Sequence, residues 1–438
     1  MSSATAGRGG VNGATNKLHP EDRAVHDWYR FVLSFPPHLV RDYLREFGLR
    51  SEHRVLDPFC GTGTTLVECK KLGIPSVGFE VNLLAHFASR VKLDWRPDPD
   101  ALLRHARQVA ELAWAELERD GIGDESRLGP SRNGVRPLRT LPAERLGLLL
   151  EGSISPLPLH KTLVLLDCLE RRRDDRFHDH ELLALAKALV TTVGNLHFGP
   201  EVGVGPAKPD APVVGPWLQA LRALADDLRV WGRRQAVPAA VHRADAREPT
   251  VLEERSIDAV ITSPPYPNEK DYTRTTRLES VVLGFIRTRA DLRTLKQGLV
   301  RSNTRNVYRS DDDDRWVADH PEIARIAAEI EARRRALGKT SGFERLYARV
   351  TKLYFGGMRR HLAALRPALR PGARLAYVVG DQASYLRVLI RTGELLAAIG
   401  EALGYEVVAI DLFRTRLATA TRVQLREEVV VLRWPGAA

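Results

Sequence analysis

Residues 54–82 constrain the fold more than any other stretch of this chain. They open with the apolar run RVLDPFC, pass through the turn GTGTT into LVECKKLG, and end with PSVGFEVN. The spacing of Leu66, Val67 and Leu72 predicts a helix that stops at Gly73, and the apolar runs on either side predict strands. The stretch therefore predicts a βαβ unit whose glycine-rich loop lies at the carboxyl end of the first strand.

The remaining chain divides into a helical block and a second block of strands. Apolar residues recur at the i, i+3, i+4 spacing of amphipathic helices between about 95 and 240, and the Gly/Pro-rich segment 197–216 predicts a loop over a site. Strand patterns return in AAVHRADA, SIDAVITSPPY, RLAYVVGD, GYEVVAIDLF and REEVVVLRW. We expect an α/β fold with a seven-stranded, mostly parallel, Rossmann-like sheet and a large helical insertion.

This organisation predicts four parts. Gly, Ser, Ala and Asn dominate residues 1–18, which we expect to form a disordered tail. The first half of the α/β domain covers 19–95, the helical insertion covers 96–238, and the second half of the domain covers 239–438.

Composition narrows the class of protein. The chain has 66 Lys and Arg against 55 Asp and Glu, and this net charge of +11 favours a polyanionic partner such as nucleic acid. Cys60, Cys69 and Cys168 are too few and too unevenly spaced for a disulfide framework or a metal site. No apolar run approaches the roughly 20 residues that a membrane span needs, and no secretory signal opens the chain. We expect a cytoplasmic, nucleoid-associated bacterial protein without a metal or a membrane partner.

The glycine loop predicts a cofactor site. Gly61 and Gly63 let the backbone approach a ligand closely, and the following helix offers free N–H groups. Leu66 stands where a dinucleotide fingerprint needs its third glycine, and there is no G-K-[ST] of a P-loop. Glu80 ends the next strand, where an acid typically accepts hydrogen bonds from ribose hydroxyls. These features predict a nucleoside-bearing cofactor without a pyrophosphate; the alternative is a tight turn and a solvated acid.

The stretch TSPPY, residues 262–266, raises a second question. Two successive prolines donate no backbone N–H and have fixed φ, so the turn is stiff and its carbonyls stay free. A hydroxyl and an aromatic ring flank the turn, which is therefore suited to present acceptors and a ring to a ligand.

LDPFCGTGTT and TSPPY together resemble the S-adenosylmethionine-dependent DNA amino-methyltransferases. The cofactor loop of that family is D-P-F-x-G-x-G-T-T, and its catalytic motif is [S/D/N]-P-P-[Y/F/W]. The resemblance covers roughly residues 25–95 and 240–434. It implies a methyltransferase sheet, S-adenosylmethionine as the methyl donor and double-stranded DNA as the substrate.

The resemblance also implies which residues surround the cofactor. Asp57 and the two loop glycines would lie near its methionine part, Glu80 near its ribose and Asp245 near its adenine. The residues expected to bind the cofactor are Phe35, Asp57, Pro58, Phe59, Gly61, Gly63, Thr64, Thr65, Glu80, Asn82 and Asp245. Phe35 as a core residue and Asp245 as a surface acid are the alternatives.

Ser263, Pro264, Pro265 and Tyr266 would form the catalytic turn. The lone pair of an exocyclic base amine is delocalised, and acceptors at Ser263 Oγ and the Pro264 carbonyl would localise it. The target base must leave the duplex, and Tyr266 would stack on it. In the family, Ser in the first position usually accompanies N4 methylation of cytosine, whereas Asp or Asn usually accompanies N6 methylation of adenine.

We therefore expect N4 methylation of cytosine, with an adenine-N6 enzyme as the alternative. Methylation at cytosine C5 needs a nucleophilic Cys, normally in a Pro-Cys pair, and the chain has no Pro-Cys pair. An RNA methyltransferase and a catalytically silent DNA-binding subunit are further alternatives.

Basic and aromatic residues after the turn predict DNA contacts. These candidates are Lys270, Tyr272, Arg274, Arg277, Lys296, Arg301, Arg305 and Arg309. The charged segment 270–345 is the favoured target-recognition region because it follows the catalytic turn, and the helical block is the other candidate. The run SDDDD at 310–314 would repel phosphate and predicts a solvent-facing loop. A cognate restriction endonuclease is an expected partner, and either a monomer or a homodimer suits the motifs.

Overall fold

The computed structural model describes residues 18–30, 34–124, 137–198, 202–417 and 424–436. The expected disordered tail lies outside these residues apart from Leu18.

Nine strands are numbered here in chain order. They are β1 (Val55–Asp57), β2 (Ser76–Phe79), β3 (Leu196–Phe198), β4 (Val202–Val204), β5 (Ala239–His242), β6 (Ile257–Thr262), β7 (Leu369–Gly380), β8 (Glu406–Leu417) and β9 (Gln424–Arg433). Seven of them form one sheet in the order β5-β2-β1-β6-β7-β9-β8, and β3 and β4 form a separate antiparallel pair. Strands β5, β2, β1, β6 and β7 are parallel, whereas β9 runs antiparallel to both of its neighbours. The predicted seven-stranded, mostly parallel sheet is confirmed.

Fourteen helices are described. They are α1 (Pro37–Glu46), α2 (Thr64–Leu72), α3 (Leu83–Lys92), α4 (Pro99–Arg119), α5 (Ala143–Leu146), α6 (Pro156–Arg171), α7 (His178–Ala188), α8 (Val214–Trp231), α9 (Tyr272–Thr275), α10 (Arg277–Val282), α11 (Arg289–Gly298), α12 (Pro321–Ala336), α13 (Tyr347–Leu365) and α14 (Thr392–Ala402). None of these helices combines the length and the apolar character that crossing a bilayer requires.

The period-2 pattern of the strands explains the layering of the sheet. Val55, Ile261 and Val378 belong to the cluster that packs under α1 and α2, whereas their neighbours Leu56 and Val260 belong to the cluster under α12, α13 and α14. Because consecutive strand residues point to opposite faces, a strand covered on both sides reads as a continuous apolar run. The apolar runs of the sequence therefore mark buried strands with helices on both faces.

Segment 197–216, predicted to be a loop, contains regular structure, and so does the charged segment 270–345. Within 197–216, β3 and β4 form a short hairpin. Segment 270–345 contains the helix α11, of 10 residues, and the helix α12, of 16 residues. The signal for α12 is present in the sequence, because the buried Ile323, Ile326 and Ile330 follow the helical repeat.

Candidate active site

The carboxyl ends of β1, β2, β5 and β6 open onto one cavity of about 320 Å³. Parallel strands bring the loops at their carboxyl ends to the same edge of a sheet. The glycine loop after β1 and the Ser-Pro-Pro-Tyr turn after β6 consequently line the same space, although about 200 residues separate them in the chain. No described residue of the 197–216 segment lines this cavity, so the described part of that segment is not a loop over this site.

Glu80 fixes the glycine loop from the end of β2. Its Oε2 accepts a hydrogen bond from the Gly61 N–H at 2.9 Å, and its Oε1 accepts one from the Asn82 N–H at 2.7 Å. Burial raises the pKa of Glu80 to about 7, and the nearby charge of Asp57 adds to this. Gly61 has a φ of +52°, in the left-handed region that a side chain disfavours. Glu80 and the glycine loop therefore line the cavity side by side, with a carboxylate from the end of β2 and a glycine backbone from the loop.

Three residues expected to bind the cofactor lie behind the cavity wall rather than on it. Thr262 Oγ1 donates to Asp57 Oδ1 at 2.6 Å, and Thr65 Oγ1 donates to the Ile261 carbonyl at 3.1 Å. Burial raises the pKa of Asp57 to about 6. Asp57 and Thr65 thus tie the glycine loop to strand β6, which sets the distance between the two motifs.

Gly63 is the third of these residues, and packing requires it to be glycine. It precedes α2 with a φ of +83°, and a Cβ there would lie 2.5 Å from Ser89 Oγ on α3. Its place in the motif reflects the close approach of the loop to α3.

The other expected cofactor residues line the cavity. Besides Gly61 and Glu80 they are Phe35, Pro58, Phe59, Thr64, Asn82 and Asp245. Asp245 accepts hydrogen bonds from Arg247, with Arg247 Nη2 at 2.6 Å from its Oδ2. Arg247 Nη1 donates to Oδ2 of the buried Asp313 at 2.5 Å. Asp313 belongs to the SDDDD run, so the expectation of a solvent-facing loop is wrong: this acid compensates a buried cation.

All four residues of the catalytic turn line the cavity. The Ser263 hydroxyl donates to the Val378 carbonyl of β7 at 3.3 Å. The Tyr266 N–H donates to the Tyr272 hydroxyl at 3.2 Å. Burial raises the pKa of Tyr266, so its phenol is neutral at physiological pH. The Ser263 hydroxyl proton and the Tyr266 N–H are therefore committed to protein partners, and the Tyr266 phenol lies within hydrogen-bonding reach of the Ser263 side chain at the cavity wall.

Three of the predicted DNA contacts are instead structural. Arg277 is buried and donates to Thr273 and to the Leu148 carbonyl. Lys296 forms an ion pair with Asp271 at 2.9 Å. These cations satisfy buried acceptors, which is the usual reason for burying a charge.

Arg301 is the third and has the most complete set of partners. It is 4% exposed and donates to both carboxylate oxygens of Asp311 at 2.8 Å and to backbone carbonyls at the end of α11. An arginine held in this way has no donor left for a phosphate.

The remaining DNA candidates are placed differently from one another. Lys270 and Tyr272 line the cavity itself. Arg274 is half-buried on α9, and its Nε has no hydrogen-bond partner among the described residues. Arg305 and Arg309 are exposed, with Arg305 5.9 Å from the ring of the exposed Phe343.

Arg414, Arg416 and Glu427 also line the cavity, and sequence reasoning missed them. They come from the antiparallel strands β8 and β9, beyond the parallel strands that carry the motifs. Each stands in an otherwise ordinary strand pattern, so no local signal distinguishes them from surface residues.

The cavity fits S-adenosylmethionine by its chemistry. Glu80 offers a half-buried carboxylate for ribose hydroxyls, while Phe35 and Phe59 offer rings for an apolar surface. The described residues contain no group of three His, Cys, Asp or Glu side chains placed to hold a metal ion. The sheet order, the glycine loop and the Ser-Pro-Pro-Tyr turn together define the class of amino-methyltransferases that use this donor.

Comparisons with known proteins agree with this class. Residues 14–86 match the family model for N6 and N4 methyltransferases, described as DNA methylase. The chain is 24% identical over 450 residues to the type II methyltransferase M.BsoBI of Geobacillus stearothermophilus, covering 95% of this chain and 86% of that protein. It is 24% identical over 459 residues to the type II methyltransferase M.AvaI of a Nostoc species, covering 97% and 89%. The type II methyltransferase M.MjaII of Methanocaldococcus jannaschii is 37% identical over 70 residues, 16% of this chain and 13% of that protein.

These findings confirm the resemblance to DNA methyltransferases of the restriction-modification type. The chain is a DNA methyltransferase, and its methyl donor is S-adenosylmethionine.

Proposed function

We propose that this protein methylates the exocyclic N4 amine of a cytosine flipped out of duplex DNA at a specific sequence. The observation that carries the proposal is the hydroxyl of Ser263, which lies in the same cavity as the cofactor loop and donates its only proton to Val378. Because that proton is already used, the hydroxyl can act towards a ligand in the cavity only as a hydrogen-bond acceptor. An amine, which brings hydrogens, is the chemical group that such a site suits.

The residues of the turn activate the amine by position and by charge distribution. The lone pairs of Ser263 Oγ and the Pro264 carbonyl accept the two amine hydrogens, which draws the nitrogen towards a tetrahedral shape and localises its lone pair. Bound S-adenosylmethionine supplies an electrophilic methyl group. Asp57 and Thr65 hold the glycine loop against β6, so the two halves of the site keep a fixed separation.

Aromatic side chains around the turn provide a surface for the extruded base. Tyr266 and Tyr272 are joined through the Tyr266 N–H, and both line the cavity. Taking a base out of the stack costs a few kcal/mol, which stacking on a ring offsets in part. Lys270 lies at the same wall and offers a positive charge for the neighbouring phosphates.

Cofactor contacts follow from the cavity lining. We propose that Glu80 accepts hydrogen bonds from the ribose, that Asp245 accepts one from the adenine amine, and that Phe35 packs beside them. Asp57, Gly63 and Thr65 shape the loop without facing the cavity.

Among the predicted DNA contacts, we propose Arg305 and Arg309 for phosphates, since both are exposed. We also propose that segment 270–345 reads the target sequence. The resemblance to type II methyltransferases supports a role in protecting DNA from a cognate restriction endonuclease.

Serine in the first position of the turn supports cytosine over adenine, because Asp or Asn usually stands there in the adenine-N6 enzymes. A neutral hydroxyl can accept from an amine without placing a negative charge beside the base. The adenine-N6 enzyme is the second candidate, and the intact cofactor loop and turn argue against a silent subunit.

The test is a product analysis. Plasmid DNA and total RNA are incubated separately with the purified protein and methyl-labelled S-adenosylmethionine, then digested to nucleosides. The proposal expects label in N4-methylcytosine from DNA. Label in N6-methyladenine, in an RNA nucleoside, or in no nucleoside would refute the proposal. Gly61→Val, which places a side chain in the glycine loop, is the control for cofactor-dependent transfer.

A further inference from the structure

A charged pair on β8 and β9 borders the turn on the side of β6 that faces away from the glycine loop. Arg414 and Glu427 lie opposite each other in the β8–β9 ladder, and both line the cavity. Arg414 Nε donates to Glu427 Oε2 at 2.6 Å. The described part of the structure contains no partner for the two terminal Nη groups of Arg414, whose side chain is 26% exposed.

Gly380 brings this pair next to the catalytic turn. A Cβ added to Gly380 would lie 3.1 Å from Tyr266 Cε2 and 3.3 Å from Glu427 Cγ. The ring of Tyr266 and the stem of Glu427 therefore meet across the bare backbone at the end of β7. The guanidinium that Glu427 holds is consequently at the wall where the base would stack.

Arg416 lines the same wall, and its Nε lies 3.6 Å from Glu427 Oε1, but its terminal Nη2 has partners of its own. Its Nη2 donates to the Asp381 carbonyl and to Gln382 Oε1, each at 3.1 Å. Arg416 is thus committed to the loop that follows β7, whereas Arg414 is held only through Nε. A guanidinium fixed through one nitrogen presents its other two as an oriented, planar donor pair.

The Watson–Crick edge of cytosine matches such a donor pair. Beside the N4 amine, cytosine carries two adjacent acceptors, N3 and O2. Adenine carries one acceptor, N1, beside its amine, and then a C–H group. A guanidinium that donates to N3 and O2 is satisfied by cytosine, whereas adenine leaves one donor facing a carbon.

We infer that Arg414 determines the base specificity of this enzyme by donating to N3 and O2 of the flipped cytosine, and that Glu427 positions it. The inference rests on the proposed function, because it assigns the same edge of the base that brings N4 to Ser263. It explains how one cavity accepts a cytosine amine and rejects an adenine amine of similar chemistry. A site built to hydrogen-bond one substrate rejects an analogue that leaves its donor unpaired.

The experiment compares two target bases in three variants. The recognised sequence is first mapped by methylome sequencing of a host that expresses the chain. Duplexes carrying that sequence with cytosine or adenine at the target position are then methylated by the unaltered protein and by Arg414→Ala, Arg414→Lys and Arg433→Ala. Arg433→Ala is the matched control, because Arg433 pairs with Glu406 at the opposite end of the same two strands.

Arg414→Ala is expected to lower kcat/KM for cytosine by about 10- to 100-fold, the range for loss of one bidentate base contact. It is expected to lower the cytosine-to-adenine ratio as well, with unchanged affinity for S-adenosylmethionine. Arg414→Lys keeps a cation beside Glu427 but lacks the fork, so it should fold normally and still lose most of the discrimination. Arg433→Ala should behave like the unaltered protein.

Several results would overturn the inference. An unchanged cytosine-to-adenine ratio in both Arg414 variants would do so, whether activity is retained or falls equally for the two bases. An equal fall together with a weaker salt dependence would identify a phosphate contact instead. The unaltered protein separates the two proposals: N6-methyladenine as its product refutes the proposed base, whereas N4-methylcytosine with an unchanged ratio refutes only the role of Arg414.

Discussion

Replacing Ser263 with alanine tests the acceptor role on which the proposed chemistry depends. The Ser263 hydroxyl donates its proton to the Val378 carbonyl at 3.3 Å, so it can meet the amine only as an acceptor. Ser263→Ala therefore removes one of the two acceptors proposed for the amine hydrogens. Removing one preorganised polar group from a reacting centre typically lowers kcat by about 10²- to 10³-fold. Because the Pro264 carbonyl remains as a second acceptor, we expect the lower end, about 10²-fold, which corresponds to about 2.7 kcal/mol in the activation free energy.

The fold should tolerate this change. The bond to Val378 is long, and a typical intramolecular hydrogen bond contributes about 1 kcal/mol to stability. Ser256→Ala is the matched control, since Ser256 lies just before the amino end of β6 and its hydroxyl also donates to a backbone carbonyl, that of Glu253 at 2.7 Å. The two variants remove the same group near opposite ends of one strand.

Single-turnover methylation with saturating labelled donor measures the chemical step, and calorimetry measures donor affinity. Ser263→Ala should slow the step about 10²-fold and leave the dissociation constant of S-adenosylmethionine nearly unchanged, while Ser256→Ala should alter neither. If Ser263→Ala methylates at the rate of the unaltered protein, the hydroxyl does not accept from the amine. A loss of donor binding that accounts for the whole effect would equally refute the reasoning.

Three other predictions concern the cofactor, the loop and the DNA surface. Burial raises the pKa of Glu80 to about 7, and the ionised carboxylate is the better hydrogen-bond acceptor. The affinity for S-adenosylmethionine, measured by calorimetry, should therefore rise between about pH 6 and 8 and level off above. Glu80→Gln should bind S-adenosylmethionine weakly and should not show this rise. Gly63→Ala places a Cβ 2.5 Å from Ser89 Oγ at a φ of +83° and should lower the free energy of unfolding in urea by about 2–4 kcal/mol, part of which Ser89→Ala should restore. Arg309→Ala should reduce the slope of log affinity against log salt for DNA by about 1, whereas Arg301→Ala should lower stability because it leaves a buried carboxylate unpaired.

The parts of the site that the sequence predicts are those whose physics is local. A strand, a glycine turn and a helix follow one another within 54–82, and two prolines define the turn after β6 whatever surrounds them. The confirmed sheet follows from apolar runs, because buried parallel strands need them.

The parts that the sequence does not predict depend on residues distant in the chain. The requirement for glycine at position 63 comes from Ser89 on another helix. Arg301 looks like a DNA contact until Asp311 is seen to hold it, and Arg414 looks like a surface residue until β8 is paired with β9. Composition gives the number of cations, but only the fold shows which of them are already neutralised.

The position of the insertion follows from the same long-range packing. The helix α10, which comes soon after the catalytic turn, buries Leu278 and Val281 in one core cluster with α4, α6, α7 and α8. Two arginines join these regions: Arg277 donates to the Leu148 carbonyl at 3.3 Å, and Arg145 donates to the Val281 carbonyl at 2.5 Å. The helical block and the beginning of the charged segment are therefore packed as one unit, so the two candidate regions for target recognition are not structurally independent. A change in the insertion that moved these helices would shift α10, and with it the segment that follows the Ser-Pro-Pro-Tyr turn.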